Sequence, residues 1–211
     1  DANHLTEGFF AAGECACVSV HAGNRLGSNS LLECVVYGRR TGRSLAEYVK
    51  TRSLPSFDAQ QYLSEAQSTI QALLEQSGSL RINQLREAFQ DCMTEHCGVF
   101  RTRSLMEEGL QQIQALKAKY SQIYLDDKQP YWNTELIEAL ELQNIMVVGE
   151  LILTSALKRE ESRGSHARED FTDRNDSQFL QHTLAAYAEA GIEIDYMPVV
   201  INRFEPQERR Y

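Results

Sequence analysis

The chain has 211 residues, of which 42% are hydrophobic and 24% charged, a composition typical of globular proteins with room for one large domain or two small ones. The formal net charge of -9 argues against a basic surface for nucleic acid, so we expect no nucleic-acid partner. The longest apolar run, Ile145 to Leu153, is interrupted by Gly149 and Glu150 and is too short to span a bilayer.

The five cysteines are Cys15, Cys17, Cys34, Cys92 and Cys97. Their odd number, together with an N-terminus that has no secretory pattern, predicts reduced thiols in the cytosol. A structural metal would need a second pair of ligands at matching spacing, and the sequence offers no obvious one. We therefore expect no metal site and interpret the cysteines as buried free thiols.

The first segment, residues 1–52, is rich in glycine, serine and other small residues before it becomes helical. Residues 9–12 predict a short buried strand. Ser30 to Glu33 matches a capping box, which predicts the start of a helix. The apolar residues that follow Ser30 suit a helix whose start is buried.

The second segment, residues 53–160, predicts a bundle of four helices, because apolar residues recur at three- and four-residue spacing. Short polar links between the stripes favour antiparallel neighbours. The stripes run from Ala59 to Leu73, from Ile82 to Met93, from Met106 to Ile123 and from Leu136 to Leu151.

Three signals predict the ends of these helices. Gly78 is expected to stop the first helix, and a second capping box, Ser104 to Glu107, is expected to start the third. Asn133 is expected to cap the fourth, which continues to about Leu157. We interpret this segment as scaffold.

The third segment, residues 161–211, is polar and rich in loops. Propensity favours a helix over residues 178–190, but the alternating apolar residues after Gly191 favour a strand, and we predict a β-hairpin over residues 181–201. The expected fold class is mainly α: an antiparallel helical bundle, a short N-terminal segment and a small C-terminal α+β segment with the hairpin.

The residues with chemical potential lie in the first segment. Glu14 follows the predicted strand, and Gly23 and Gly27 allow the backbone to approach a ligand closely. Arg25 offers the forked donors that match a carboxylate. The helix N-terminus that follows favours negative charge. Together these groups could hold a ribityl chain, an electron-accepting ring oxygen and a small carboxylic acid, although spacing alone fits a glycine-rich turn with Arg25 in a surface ion pair better.

Residues 12–39 resemble the pattern A-x-G-E…H-G-A-N-R-L-G-x-N-S-L-L-[ED] of the succinate dehydrogenase and fumarate reductase flavoprotein family. Gly98 to Arg101 resembles the family's G-V-F-R turn, and Ser162 to Asp170 resembles its S-R-G-x-H-x-R-x-D loop. Phe204 to Tyr211 resembles its terminal F-E-P-x-E-R-x-Y. The resemblance covers the whole chain. It departs at residues 21–25, which read His-Ala-Gly-Asn-Arg where the family has His-Gly-Ala-Asn-Arg.

The resemblance implies roles for particular residues. The family's glutamate in A-x-G-E binds FAD, and its Ser-Leu pair at the helix start contacts the flavin through the backbone, which implies FAD contacts at Glu14, Ser30 and Leu31. The arginine of N-R-L-G binds a substrate carboxylate, which implies Arg25 as the substrate residue. His21 either lines the active site or is a packed histidine.

The third segment is expected to have a structural role. Arg163, His166, Arg168 and Asp170 are expected to form an ion-pair network against the flavin domain, with direct contact to substrate as the alternative. The family's glycine-rich dinucleotide fold, flavin-linking histidine and proton-shuttling arginine would lie upstream. We therefore expect no catalytic residue in this chain, no activity from it alone and no retained FAD.

The expected domains are residues 1–52 as the C-terminal end of an FAD-binding domain, 53–160 as the helical bundle and 161–211 as the loop and hairpin. The implied parent oxidises succinate to fumarate and passes electrons through FAD to an iron–sulfur subunit, with membrane anchor subunits where the complex is membrane-bound. The expected location is the cytoplasm or the cytoplasmic side of a membrane, as a peripheral subunit. Fumarate reductase, L-aspartate oxidase and a non-catalytic helical interaction module are the alternatives.

Overall fold

Six helices and three two-stranded sheets form the regular structure of the residues that the computed structural model describes. These residues are 6–21, 23, 25–53, 56–188, 191–202 and 205–207. The helices are α1 (Asn29–Lys50), α2 (Ala59–Glu75), α3 (Ile82–His96), α4 (Arg103–Lys119), α5 (Thr134–Lys158) and α6 (Asp176–Phe179). The strands are β1 (Leu80–Arg81), β2 (Phe100–Arg101), β3 (Ile123–Tyr124), β4 (Ala167–Arg168), β5 (Gln181–Ala188) and β6 (Gly191–Pro198). None of these helices is long and apolar enough to cross a membrane.

The hydrophobic core lies where α3, α4 and α5 pack on one another. Leu85 and Phe89 of α3, Met106 and Ile113 of α4 and Met146 of α5 are buried in one cluster. The predicted bundle is confirmed, and its four helices correspond to α2 through α5. The predicted domain boundaries fall close to the ends of α1 and α5, and they stay predictions.

The buried face of α5 differs from the predicted stripe. The predicted positions Leu140, Val147 and Leu151 are only half-buried. The fully buried apolar positions are Leu136, Ala139, Leu142, Met146, Leu153 and Ala156. Because α5 packs against α2, α3, α4 and the hairpin, its apolar residues spread around the helix and a single stripe does not describe them. Its contact with α3 is close, since a Cβ at Gly149 would lie 2.4 Å from the ring of Phe89.

Of the three signals that predicted helix ends in the bundle, two are wrong and one is confirmed. α2 ends at Glu75, so Gly78 lies beyond it and does not stop it. The N-cap of α4 is Thr102, whose side chain accepts a hydrogen bond from the backbone three residues ahead, and the predicted box at residues 104–107 therefore lies inside the helix. Asn133 caps α5 as predicted, accepting from the backbone amide of residue 136 at 2.8 Å.

The start of the chain departs most from expectation. Residues 9–12 form no strand, and Phe9 is 77% exposed. A strand needs a partner for its backbone groups, and the described residues provide none beside it. Leu31 and Leu32 at the start of α1 are also exposed, since α1 makes at most isolated contacts with the other described elements.

The C-terminal hairpin is confirmed. β5 and β6 pair in an antiparallel register that runs from Gln181 opposite Pro198 to Ala188 opposite Gly191. The second strand ends at Pro198, before the predicted limit at residue 201. The hairpin packs on α5, so the alternation of apolar residues in the sequence corresponds to a strand with one covered face.

The five cysteines are free thiols, as predicted, but only one is buried. Cys92 lies in the core, where burial raises the pKa of its thiol. Cys34 and Cys97 are half-buried, while Cys15 and Cys17 are exposed because the irregular first segment covers little surface. Among the described residues no group of three or more His, Cys, Asp or Glu side chains could hold a metal ion.

Candidate functional site

Arg25 and His21 share one buried carboxylate. The Nη2 atom of Arg25 and the Nε2 atom of His21 each lie 2.6 Å from Oε2 of Glu33. The Glu33 side chain is 1% exposed, whereas the Arg25 side chain is 26% exposed. The buried carboxylate on α1 therefore binds both candidate side chains, and the Arg25 side chain remains partly exposed.

Glu33 is a functional candidate, although its sequence context predicted only a helix-capping role. We expected it to close a capping box with Ser30, but α1 begins at Asn29, and its N-cap, Ser28, makes no side-chain cap hydrogen bond. The Glu33 carboxylate turns to Arg25 instead. Its other oxygen, Oε1, is buried and has no hydrogen-bond partner among the described atoms. The sequence did hold a clue, since Glu33 is one charge within an apolar run.

The proposed FAD contacts lie at the surface of the described structure. Glu14 is exposed, Ser30 is half-buried, and Leu31 is 73% exposed at the first turn of α1. The first-turn amides of a helix have no partner within the helix, and Ser28 provides none through its side chain. These amides can therefore donate to an external acceptor.

An open surface cleft lies away from these residues. It runs along α2 beside Pro130 and includes neither Arg25 nor His21. Its lining is mostly amide, hydroxyl and apolar side chains with the single carboxylate of Glu75, which offers little chemistry.

The loop that carries His21 and Arg25 contacts the C-terminal segment at two places. The Ser19 Oγ atom lies 2.8 Å from Nε2 of His182 on β5. The carbonyl oxygen of Gly23 accepts hydrogen bonds from the amide and the hydroxyl of Ser165, at 3.1 and 2.9 Å. The sequence reasoning did not select Ser165 or His182 as functional.

Glu161 is the centre of a buried ion-pair network behind Ser165. Its side chain is 0% exposed and accepts hydrogen bonds from Nε of Arg159 at 2.8 Å and from Nε and Nη2 of Arg163 at 2.8 and 2.9 Å. The backbone amide of Asn175 donates to it at 2.8 Å. Burial by itself would raise the pKa of Glu161, but the donors from Arg163 and Asn175 outweigh it and the net pKa is lowered.

Arg168 is the second buried charge of this segment. Its guanidinium is bidentate to Asp170, at 2.7 and 2.8 Å, and its Nη1 donates to backbone carbonyls near the end of α5. The hydrogen bond from Arg168 lowers the pKa of Asp170 to about 2. β4, which contains Arg168, pairs in parallel with β2, so the G-V-F-R turn and the S-R-G-x-H loop lie side by side.

His166 is held as a neutral imidazole with a defined tautomer. Its Nε2–H donates to the carbonyl of Arg159 at 3.0 Å, and its Nδ1 accepts from Nη1 of Arg101 at 2.9 Å. Burial lowers the pKa of His166, and the neighbouring arginines lower it further. A histidine with both ring nitrogens engaged in this way is a structural element of the network.

The predicted network of the third segment is confirmed for its two arginines, which pair with Glu161 and Asp170. The prediction of an ion pair was wrong for His166, because its Nδ1 accepts from Arg101 and its Nε2–H donates to a backbone carbonyl, and neither partner is a carboxylate. The packing of this network against a flavin domain stays a prediction. Most of the terminal motif, including Phe204 and residues 208–211, lies outside the described residues.

Comparisons with known proteins agree with these motifs. Residues 86–211 match the family described as fumarate reductase flavoprotein C-term, and residues 1–31 match an FAD binding domain. The succinate dehydrogenase flavoprotein subunit of Rickettsia bellii is 42% identical over 200 residues, which are 94% of this chain and 34% of that protein. The fumarate reductase flavoprotein subunit of Haemophilus influenzae is 38% identical over 211 residues, with 97% and 35% covered.

Solved structures of similar proteins agree with the sequence matches. The FrdA subunit of Escherichia coli quinol fumarate reductase, in a variant form, superposes with a TM-score of 0.88 at 34% identity, over 94% of this chain and 35% of that one. The Mycobacterium smegmatis Sdh1 complex superposes with a TM-score of 0.79 at 27% identity, over 90% and 32%. The chain therefore spans about a third of the length of the relatives it matches.

Proposed function

The chain belongs to the family of succinate dehydrogenase and fumarate reductase flavoprotein subunits, and on this premise we propose that it forms the C-terminal part of an FAD-dependent enzyme that oxidises succinate to fumarate. The observation that carries the proposal is the accessible Arg25 held on the buried Glu33. Fumarate reduction is the second candidate, because relatives of both names match the chain at similar identity.

Arg25 is proposed to bind one carboxylate of the dicarboxylate substrate. Among the described contacts only its Nη2 is engaged, by Glu33, which leaves the other guanidinium nitrogens to form charge-assisted hydrogen bonds with a ligand. Glu33 fixes the plane of the guanidinium before substrate arrives, so less orientational freedom is lost on binding. His21, bonded to the same carboxylate oxygen, is proposed to line the site beside Arg25.

FAD is proposed as the cofactor, with Glu14, Ser30 and Leu31 as the contacts in this chain. The donor set fits, since the first-turn amides of α1 lack a side-chain cap and Glu14 is exposed to accept from hydroxyl groups. When bound, the flavin supplies the redox chemistry that amino-acid side chains cannot provide. The α1 N-terminus would favour negative charge on the nearby edge of the flavin ring.

The partners and the location are part of the same proposal. We propose that electrons pass to an iron–sulfur subunit and, in a membrane-bound complex, that anchor subunits hold the enzyme on the cytoplasmic side of a membrane. The similar structures are described as a quinol fumarate reductase and an Sdh1 complex, which supports an assembly of several subunits. No catalytic residue is assigned within the chain, and we propose that it does not turn over substrate by itself.

The test is succinate-dependent dye reduction by the full-length, FAD-loaded flavoprotein that contains this chain, with Arg25→Ala as the variant. Loss of a charge-assisted carboxylate contact is expected to lower kcat/KM by about 10²- to 10³-fold, with flavin absorbance unchanged. Arg43→Ala, an exposed arginine on α1, is the matched control and should leave turnover unchanged.

Each other outcome has a definite meaning. Full activity in the Arg25→Ala variant would remove Arg25 from the substrate site. Faster turnover of fumarate with a reduced dye than of succinate with an oxidised one would favour the reductase. Turnover of aspartate with oxygen would identify an L-aspartate oxidase instead.

A further inference from the structure

The name substrate loop is used here for residues 19–21, 23 and 25 of the described structure, and the first of them has a costly backbone conformation. Ser19 has φ 58°, in the left-handed region that non-glycine residues rarely occupy. Such conformations persist only where surrounding contacts enforce them. The contact at this point is the 2.8 Å hydrogen bond between Ser19 Oγ and His182 Nε2. His182 therefore holds the first end of the loop.

Gly23 provides the second contact. Its carbonyl oxygen accepts both the amide and the hydroxyl hydrogen of Ser165. A Cβ at Gly23 would lie 2.5 Å from the backbone oxygen of Arg163, which is closer than such atoms approach. The family pattern has alanine at this position. The close contact of the loop with residues 163–165 therefore requires glycine at position 23.

The surface that receives the loop is rigid. Arg163 and His166 exchange backbone hydrogen bonds at 2.8 and 3.1 Å, which closes a tight turn around Ser165. The Arg163 side chain is bound to the buried Glu161 and, at 2.6 Å, to Asp176. The position of Ser165 is therefore fixed independently of the loop.

We propose that Ser165 and His182 are positioning residues that hold the substrate loop in the geometry where Arg25 binds a dicarboxylate. This inference rests on the proposed function. The two contacts fix the loop at residues 19 and 23, and the Glu33 contact fixes Arg25 itself. Without the contacts at residues 19 and 23 the loop can sample other positions, and the entropy lost when substrate orders it again weakens substrate binding. The reacting groups are unchanged once substrate is bound.

The experiment uses the full-length, FAD-loaded flavoprotein and measures KM for succinate, Ki for malonate and kcat. Ser165→Ala and His182→Phe are each expected to raise KM and Ki about fivefold, the effect of one neutral hydrogen bond, with kcat within about twofold. The double variant is expected to show an increase of about twentyfold.

Two further variants separate positioning from general damage. His182→Gln keeps a polar atom that can reach Ser19 and is expected to restore nearly normal KM. Ser177→Ala is the matched control, because Ser177 binds Asn175 and does not contact the loop, and it should change nothing. If His182→Phe fails to retain flavin, Ser19→Ala removes the same hydrogen bond from the loop side and is expected to raise KM and Ki to the same extent.

Hydrogen exchange of the peptide that covers residues 19–25 provides a readout that does not depend on turnover. Exchange in the double variant is expected to be at least about tenfold faster there and unchanged in α3 to α5. Unchanged KM together with unchanged exchange would overturn the proposal. If the wild-type protein does not turn over dicarboxylates, the proposed function fails, and hydrogen exchange alone then tests the positioning role. Faster exchange in the double variant supports the role of Ser165 and His182 in holding the loop, and unchanged exchange refutes it.

Discussion

Replacing Glu161 with alanine removes the carboxylate at the centre of the buried network. Four hydrogen bonds are lost: one from Arg159, two from Arg163 and one from the amide of Asn175. Removing one partner of a buried ion pair costs about 3–5 kcal/mol, because the remaining charge is left in the interior. Arg163 keeps Asp176, and Arg159 keeps acceptors on the hairpin. We therefore expect Glu161→Ala to lower the free energy of unfolding by about 3 kcal/mol, at the low end of that range.

The loss of unfolding free energy caused by Glu161→Ala should depend on pH. The pKa of Glu161 is lowered from its usual 4.5, so the ionised form is favoured in the folded state. Stability from such a group is fully present above the usual pKa and is lost as the pH falls through the lowered value. The difference in unfolding free energy between wild type and Glu161→Ala should therefore narrow below pH 4.5.

Urea unfolding followed by circular dichroism measures this difference at pH 7 and at pH 3. The neighbouring Glu160 is the matched control, since its side chain is 41% exposed and pairs with the exposed Arg103. Glu160→Ala is expected to lower the free energy of unfolding by at most about 1 kcal/mol. If Glu161→Ala costs no more than the control at pH 7, the buried network does not stabilise the segment and the reasoning is refuted.

Two further predictions follow from the charges near the site. Glu33→Gln is expected to lower kcat/KM for succinate about tenfold in the FAD-loaded flavoprotein, because a neutral amide holds Arg25 more weakly than a carboxylate; an unchanged value would remove Glu33 from the site. Asp170, with its pKa at about 2, stabilises the fold fully above its usual 3.8, so Asp170→Asn should lower the melting temperature at pH 7 and have little effect near pH 2. Equal effects at both pH values would contradict this assignment.

Periodicity predicted most of the fold because the described elements bury their apolar residues against sequence neighbours. The hairpin shows this clearly: residues 178–190 have helical propensity, yet the alternation after Gly191 predicted the strands that the structure contains. The failures occur where burial comes from several sides or from none. α5 packs against several elements, so one stripe could not describe it, and residues 9–12 have no described partner strand.

The candidate site was only partly predictable. Arg25 followed from a local motif, but Glu33 was misassigned because a capping box is a local pattern and the true partners of its carboxylate lie 8 and 12 residues away. The contacts of Ser165 and His182 join residues 142 and 163 positions apart. Contacts at that separation leave no spacing pattern in one sequence, so they require the folded geometry.

The buried charges behind the substrate loop have a physical rationale beyond stability. A buried ion pair is often no more stable than well-packed apolar residues of the same volume, but it accepts few alternative geometries. Here the network fixes the backbone of residues 163–165, which is the surface that the loop of Arg25 contacts. Glu161→Ala should therefore act mainly on the free energy of unfolding, whereas Ser165→Ala should act mainly on dicarboxylate affinity. If the two variants changed the same quantity to the same extent, the segment would have a single structural role, and the proposed positioning of the substrate loop by Ser165 and His182 would be unnecessary.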